Sequence, residues 1–322
     1  MGHPNTGWLF YKNYYLADER GRSVQFLGHN EAQNRWTVIK NDNEHNERLF
    51  ERRNKELFEQ TIPDLKDLAQ FPTDHLQTFQ LMTTYPGLLI GSGYNHGTGK
   101  KGELKLGFFF DFTTGLPTIP ASSIKGLLRS AFPGMDYQRH YTTKSKEAAT
   151  AYKANYSEKT DYMTYLLGEV GIPVNTIEQI CQIEWEIFAG IKNYALNPKT
   201  EMDGRKSTNP TGDKMPISQR DVFLDAFITG PVGKEFLADD YITPHKNNTG
   251  DGYPDEMKNP VPISFLKVLP EITFEFRFNC KDGTYINAQQ KKSLFHKILL
   301  QHGIGAKTNV GYGQLVDVAS DG

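Results

Sequence analysis

His302-Gly-Ile-Gly-Ala-Lys-Thr-Asn-Val-Gly-Tyr-Gly313 places four glycines, a lysine, a threonine, an asparagine and a tyrosine between a helical pattern over 287–301 and a strand-like run over 314–318. Glycine adopts positive φ at no steric cost and lets a second backbone approach closely. Repeated glycine between a helix and a strand therefore marks a tight loop. Successive amides in such a loop can face an anion, and Lys307 adds positive charge. The plainer reading is a helix C-cap followed by a turn.

Working outward, Ile272, Phe274, Phe276 and Phe278 alternate with Thr273, Glu275 and Arg277, the period of a strand with one buried face. Further upstream, a strand over 77–90, broken at Tyr85-Pro-Gly87, runs into a second glycine-rich loop over 91–102, and residues 104–112 read as another apolar strand. Gly115-Leu-Pro-Thr-Ile-Pro120 is extended, because proline disfavours the α region in its predecessor. A short helix follows over 121–132, with Ser122 or Ser123 as N-cap and Ile124, Leu127, Leu128 and Ala131 as its apolar stripe. Lys125 and Arg129 share one face of it at i, i+4. That pair beside a helix N-terminus makes an anion site, or else a solvated basic face.

Residues 217–229 resume strand character. The order is then strand, helix, strand, strand, helix, strand. This is an α+β, ferredoxin-like (RRM-like) arrangement, which RNA-recognition modules also use and which by itself says little about function. The remainder decorates it. The expectation is a single domain over 1–322 with an N-terminal extension over 1–75, the first strand, glycine loop and helix over 76–132, an insertion over 133–216, a strand over 217–229, a second insertion over 230–264, and the closing strand, helix, glycine-rich loop and last strand over 265–319. Within the extension, 6–39 read as short strands or an extended arm, 46–60 as a helix, and the piece between Pro63 and Pro72 as a shorter helix. The long insertion is polar and reads as peripheral rather than core: 144–154 is weakly helical, 177–188 suits helix or strand, and 199–214 has no periodicity.

The chain has 322 residues, 38% of them hydrophobic and 12% aromatic, enough for a core. Its net charge of −2 means that any polyanion site must be local. Charge is indeed uneven: residues 283–316 carry Lys291, Lys292, Lys297 and Lys307 and no acid, and residues 91–129 carry five basic residues against Glu103 and Asp111. Cys181 and Cys280 are too few for a disulfide framework or a cysteine zinc site. The opening Met1-Gly-His-Pro-Asn-Thr has no signal pattern, and Asp111 stops the apolar run Phe108-Phe-Phe110, so the chain is expected in the cytoplasm with no membrane partner.

Gly97-Thr-Gly-Lys-Lys-Gly102 spells G-x-G-x-x-G but precedes a strand rather than a helix, which fails the dinucleotide context, and no P-loop is present. No H-E-x-x-H occurs. His96 is the best candidate general base by its loop position, though no partner acid stands at an obvious spacing. His245 suits a loop or RNA contact, and His296 and His302 a structural role on the last helix. Glu103 and Asp111 could reach a metal, yet two lone carboxylates usually form a solvated rim.

Ile119-Pro-Ala-Ser-Ser-Ile-Lys-Gly-Leu-Leu-Arg129 resembles the I-P-G-S-S-L-K-G-x-x-R signature of the RAMP superfamily of CRISPR-associated proteins, with Ala121 where glycine is usual. The run at 303–313 resembles the carboxy-terminal glycine-rich loop of that superfamily. Together with Asp240-Tyr-Ile-Thr-Pro-His245, Asn259-Pro-Val-Pro-Ile-Ser-Phe265 and the aromatic opening Trp8 to Leu16, the pattern is most similar to the sixth-subunit branch of the type III-B (Cmr) effector complexes; residues 134–214 carry no match.

The resemblance implies a non-catalytic subunit that grips CRISPR guide RNA near its 3′ end and stacks on the repeating backbone RAMP. Its partners would be guide RNA, target RNA, that backbone subunit, the small helical subunit and the other terminal RAMP subunit. No cofactor and no metal are expected. The RNA-binding candidates are Gly91, Ser92, Gly93, Tyr94, His96, Lys100 and Lys101 in the first loop and Ser122, Ser123, Lys125 and Arg129 on the short helix. His245 and then Gly305, Lys307, Thr308, Asn309, Gly311, Tyr312 and Gly313 complete the set. Lys125, Arg129 and Lys307 would read phosphate, while Tyr94, His96 and Tyr312 would stack on bases. The rival expectations are a RAMP endoribonuclease with His96 as acid/base, metal-dependent target cleavage through Asp111, and a protein–protein adaptor whose glycine loops merely pack.

Overall fold

The alternation at 272–278 builds the centre of the molecule. In the computed structural model, which describes residues 5–16, 27–30, 35–38, 44–64, 75–91, 102–104, 108–134, 146–195, 211–242 and 262–318, Phe274, Phe276 and Phe278 are all fully buried. In chain order the elements are α1 (Thr6–Tyr11), β1 (Leu27–Asn30), β2 (Arg35–Val38), α2 (Glu44–Phe58), β3 (Gln77–Thr83), β4 (Thr118–Ile119) and α3 (Ala121–Ser130). Next come α4 (Lys146–Glu169), α5 (Ile177–Glu184), β5 (Ile191–Ala195), β6 (Thr211–Lys214), β7 (Val222–Phe223), β8 (Ala226–Gly230) and β9 (Leu237–Ile242). The last are β10 (Ile263–Val268), β11 (Thr273–Asn279), α6 (Ala288–His302) and β12 (Leu315–Asp317).

The main sheet is six-stranded, ordered β12-β3-β11-β8-β4 with β7 paired to β11. All of its pairings are antiparallel. Counting β3, β8, β11 and β12 as first to fourth, the spatial order is fourth, first, third, second. Helix α3 lies between the first and second of these strands in sequence and α6 between the third and fourth, as the ferredoxin-like arrangement requires. Leu81 of β3 and the three phenylalanines of β11 share one core with Ile124 and Leu128 of α3 and Leu294, Phe295, Ile298 and Leu299 of α6. Phe278 and Phe295 meet at a ring separation of 5.1 Å.

Helix α6 begins with a reciprocal cap. Asn287 accepts from the Gln290 amide at 2.8 Å, and the Gln290 side chain accepts from the Asn287 amide at 3.0 Å. Replacing Asn287 with alanine is expected to lower stability by about 1 kcal/mol, read as a shifted denaturant midpoint with an unchanged slope; no shift would mean that the cap contributes nothing. Lys291, one turn in, is almost wholly buried and pairs with the equally buried Asp221 at 2.6 Å. Lys291 Nζ also donates to the Lys281 carbonyl at 2.7 Å, and Asp221 accepts from the Lys281 amide at 2.7 Å. The pair thus ties α6 to the chain on both sides of the sheet's end.

Several expectations need correction. The aromatic run at 8–15 is helical, not extended: Asn5 caps α1 by accepting from the Trp8 amide, and a 3₁₀ turn over Asn13–Tyr15 follows. Phe10 and Tyr14, four apart, are both fully buried, the spacing of one helical face. Tyr14 stacks on Phe50 of α2 at 5.2 Å. Residues 134–216 are not peripheral. Met163, Leu166 and Leu167 of α4 and Ile180 and Ile183 of α5 belong to the same core as the sheet. Residues 230–262 include β9, which forms a hairpin-like ladder with β10 from Leu237↔Val268 to Ile263↔Ile242. Of the expected strand over 104–112, residues 105–107 lie outside the described residues, and the described part forms bridges rather than a continuous strand, among them Phe110↔Pro117. Asp111 Oδ1 there accepts from the Thr113 and Thr114 amides and turns the chain. Strand β3 ends at Thr83, and Leu88 makes a single bridge to Val268. The piece between Pro63 and Pro72 lies almost wholly outside the described residues.

Candidate nucleic-acid interface

The glycines at 303–313 serve close backbone packing. Gly303 (φ 65°) ends α6, donating to the Leu299 carbonyl at 3.0 Å. Ile304 then donates to the Gly313 carbonyl at 2.9 Å, closing the loop on itself. Gly313 donates to the Gly87 carbonyl at 2.8 Å and Ala306 to the Leu89 carbonyl at 3.0 Å, so the loop is stitched along residues 87–91. A Cβ at Gly305 (φ 97°) would sit 2.4 Å from the Leu89 oxygen, and one at Gly313 (φ 71°) 1.8 Å from the Ile304 oxygen. No side chain fits at either position. Val310 and Gly311 also spend their amides on backbone carbonyls. The expectation of an amide nest facing an anion therefore fails for most of the loop, and Lys307 is left as its charged feature. Lys307 holds a left-handed conformation (φ 61°), uncommon for a residue with a Cβ, and has no ion-pair partner among the described residues.

Opposite the loop stands α3. A cleft of about 470 Å³ runs between them, with Leu88, Ile90 and Gly91 along one side, Ser123, Gly126, Leu127 and Ser130 of α3 on another, and Ile304, Gly305 and Ala306 on the third. Two small-residue stretches far apart in sequence thus share one groove, with apolar side chains at its base and serine hydroxyls on its α3 wall. Gly126 is exposed, and a Cβ there would meet nothing within 4 Å; a helix-interior glycine, poor by propensity, leaves the groove open.

At 100° per residue, Lys125 and Arg129 point away from the face formed by Ser123, Gly126 and Ser130. Lys125 Nζ lies over the Phe223 ring, 5.5 Å from its centroid. Burial, with the Arg129 charge beside it, pulls its pKa below the ordinary lysine value. Arg129 Nε lies 3.9 Å from the buried Glu184. The basic pair is therefore turned to a different surface from the cleft. The helix N-terminus is also already served: Pro120 is the N-cap, without a side-chain bond, and Asp225 Oδ1 accepts from the Ala121 amide at 2.6 Å. Ser122 and Ser123 do not cap. Ser122 is exposed, and Ser123 faces the cleft. An anionic Asp225 at this end takes the position that an incoming phosphate would have used.

Tyr312, expected to stack on bases, is buried instead, packed edge-on against Phe265 at 6.0 Å. Its hydroxyl donates to Asp240 Oδ2 at 2.6 Å, and Lys267 pairs with the same oxygen at 2.7 Å. Burial and the Asp240 charge push the Tyr312 phenol well above its ordinary range. Burial disfavours the Asp240 carboxylate, but the hydrogen bonds from Lys267 and Tyr312 outweigh that and hold its pKa low. Tyr312 is thus a brace for the loop. Gly91, Gly305 and Asn309 are exposed, and Thr308 and Gly311 half-buried. Ser92, Gly93, Tyr94, His96, Lys100, Lys101 and His245 lie outside the described residues. Sequence reasoning did not place Gly126, Ser130, Asp225 or Asp240 at the site; the mid-helix glycine and the family-like stretch opening at Asp240 were the visible signals.

Glu103 is fully buried and accepts from the Tyr15 hydroxyl at 2.9 Å, and Asp111 is engaged by its own turn. Among the described residues no three His, Cys, Asp or Glu side chains stand together as metal ligands, and no helix is long and apolar enough to cross a membrane.

A ferredoxin-like sheet whose last helix enters a glycine-rich loop, with that loop facing α3 across a groove, defines an α+β domain. The chain belongs to the RAMP superfamily, whose sequence profile matches residues 80–316. Among solved structures, the chain is similar to a subunit in a type III-B Cmr-beta complex bound to cognate target RNA, at 21% identity over 87% of this chain and 76% of that one, with a TM-score of 0.47. It is also similar to Cmr6 from Pyrococcus furiosus, at 20% identity over 76% and 98% with a TM-score of 0.41. A chain of a type III-A Csm–crRNA–target RNA ternary complex follows at 14% identity over 66% and 53%, with a TM-score of 0.26. No curated protein matches. The family assignment rests on the sequence profile alone.

Proposed function

We propose that this protein is a non-catalytic RNA-binding subunit of a type III-B CRISPR (Cmr) ribonucleoprotein in antiviral defence, holding the guide RNA backbone towards its 3′ end and capping the filament of backbone RAMP subunits. The observation that carries this is the shared groove between α3 and residues 304–306, in a member of the RAMP superfamily whose sequence motifs resemble the sixth-subunit branch. A groove walled by small residues admits a sugar–phosphate strand, and Lys307 at its loop supplies charge without reading sequence. Specificity is then left to base pairing by the guide. Guide RNA, target RNA, the backbone RAMP, the small helical subunit and the other terminal RAMP subunit are the partners of this reading.

Gly126 provides the test, because a side chain there enters the groove without a clash. Gly126→Ala should be neutral or stabilising by up to about 1 kcal/mol and keep RNA binding. Gly126→Glu should fold equally well and lose single-stranded RNA binding by at least about tenfold, from bulk and like charge in the groove. Filter binding at several salt concentrations measures this. Lys307→Gly keeps the left-handed backbone and should reduce the log–log salt slope by roughly 0.7. Binding unchanged in Gly126→Glu would remove the groove from the RNA path.

A further inference from the structure

The turn that leads into the cleft carries a feature the groove does not use. Tyr85 is 85% exposed, the ring of a large aromatic side chain standing in solvent. Its backbone is held on both sides. The Thr84 amide and hydroxyl both donate to the Gln314 carbonyl at 3.1 Å, the Gly87 amide donates to the Thr84 carbonyl at 2.8 Å, and the Leu88 amide donates to the Val268 carbonyl at 2.9 Å. Pro86 lies beside the glycine-rich loop, its Cδ 3.6 Å from where a Gly311 Cβ would be. Tyr85 is also near enough to Tyr312 for its phenol to bear on the ionisation of the buried one. The adjoining loop residue Val310 is 62% exposed. From this turn the chain continues into Leu88, Ile90 and Gly91, the wall of the cleft. Among the described residues the Tyr85 hydroxyl has no hydrogen-bond partner.

A ring exposed on a backbone hydrogen-bonded on both sides loses less entropy when something stacks on it. Base–aromatic stacking is how single-stranded nucleic acid is gripped without sequence preference. Tyr85 stands on the turn that runs on into the cleft wall at Leu88 and that is tied at Gly87 to the loop carrying Lys307, which favours an RNA strand over a protein as its occupant. We propose that Tyr85 is a base-stacking platform on the turn leading into the cleft, taking one unpaired nucleobase of the RNA strand whose phosphates pass Lys307. This rests on the RNA-binding reading above, and it gives the loop system the stacking role that the buried Tyr312 does not fill.

The test uses the full chain and a short single-stranded RNA carrying 2-aminopurine, with the salt slope measured alongside. Tyr85→Ala should weaken binding by between about five- and a hundred-fold, abolish the fluorescence change on binding, and leave the salt slope unaltered. Tyr85→Phe should restore both affinity and signal. Thermal stability should not move in either variant, given the exposure of the side chain. Equal affinity and signal in the parent and Tyr85→Ala would overturn the inference while leaving the groove reading intact. Loss of subunit co-assembly in Tyr85→Ala with RNA affinity unchanged would overturn it in favour of a protein contact. A parent protein that binds no RNA overturns the reading beneath it, and the inference with it.

Discussion

Replacing Gly313 with alanine is expected to unfold the carboxy-terminal third of the domain or weaken the whole by about 2–5 kcal/mol. The figure combines the left-handed penalty for a Cβ with an overpacking cost. The new Cβ would lie 1.8 Å from the Ile304 oxygen and 2.9 Å from the carbon bearing it, and both are backbone atoms that cannot swing aside. Relief requires breaking the Ile304–Gly313 hydrogen bond, which in turn frees the loop from residues 87–91. The denaturant midpoint should fall with the slope preserved. Gly168→Ala is the matched control: Gly168 lies in α4 with nothing within 4 Å of the added atom, so stability should hold or rise slightly. A Gly313→Ala protein within about 1 kcal/mol of its parent would show that the loop is not built as described.

The second large effect lies at the buried ion pair. Lys291→Met retains the aliphatic stem but leaves the Asp221 carboxylate at 2% exposure without its ammonium. Removing one member of such a pair costs about 3–5 kcal/mol. Adding Asp221→Asn, which still accepts from the Lys281 amide, should recover part of the loss. The variant should also acquire a pH signature. Burial already raises the Asp221 carboxyl above its ordinary range, with Lys291 opposing that rise, so deleting Lys291 raises it further. A carboxyl whose folded pKa exceeds its unfolded one contributes stability that is fully present below the unfolded pKa and is lost as pH rises through the folded value. The loss in Lys291→Met should therefore be smaller near about pH 5 than near about pH 8. Equal losses at both would mean that the carboxylate finds another partner.

How much of this could be read beforehand follows from the range of the interactions. The strand at 273–279 and the helix after Asn287 were legible because their signals are local: an alternating phenylalanine face and a cap closed within three residues. The strand order follows from them once the sequence of elements is known. The helical opening was missed because aromatics favour strands by propensity, while the spacing of Phe10 and Tyr14 carried the true period. The core role of α4 was hidden by the alanine, threonine and tyrosine around Met163, Leu166 and Leu167. At the cleft, composition and resemblance pointed to both α3 and the glycine loop as candidates, yet not to which of their residues face each other. Tyr312 is hydrogen-bonded to Asp240, 72 residues away in the chain, and Asp225 reaches Ala121 across 104 residues. No local pattern contains such pairings. The rotation of Lys125 and Arg129 away from Ser123 and Gly126 was available from helix geometry alone, had the groove-facing side been known.

The stitching of residues 303–313 onto residues 87–91 has a consequence for synthesis. The chain emerges from the ribosome at about 5–20 residues per second, so the first wall of the groove waits on the order of ten seconds or more for the second. Until the final helix and its loop are released, Leu88 and Ile90 have no cover from Ile304, and the groove has only two of its three walls. A chain that stops short of residue 304 lacks one wall of that groove.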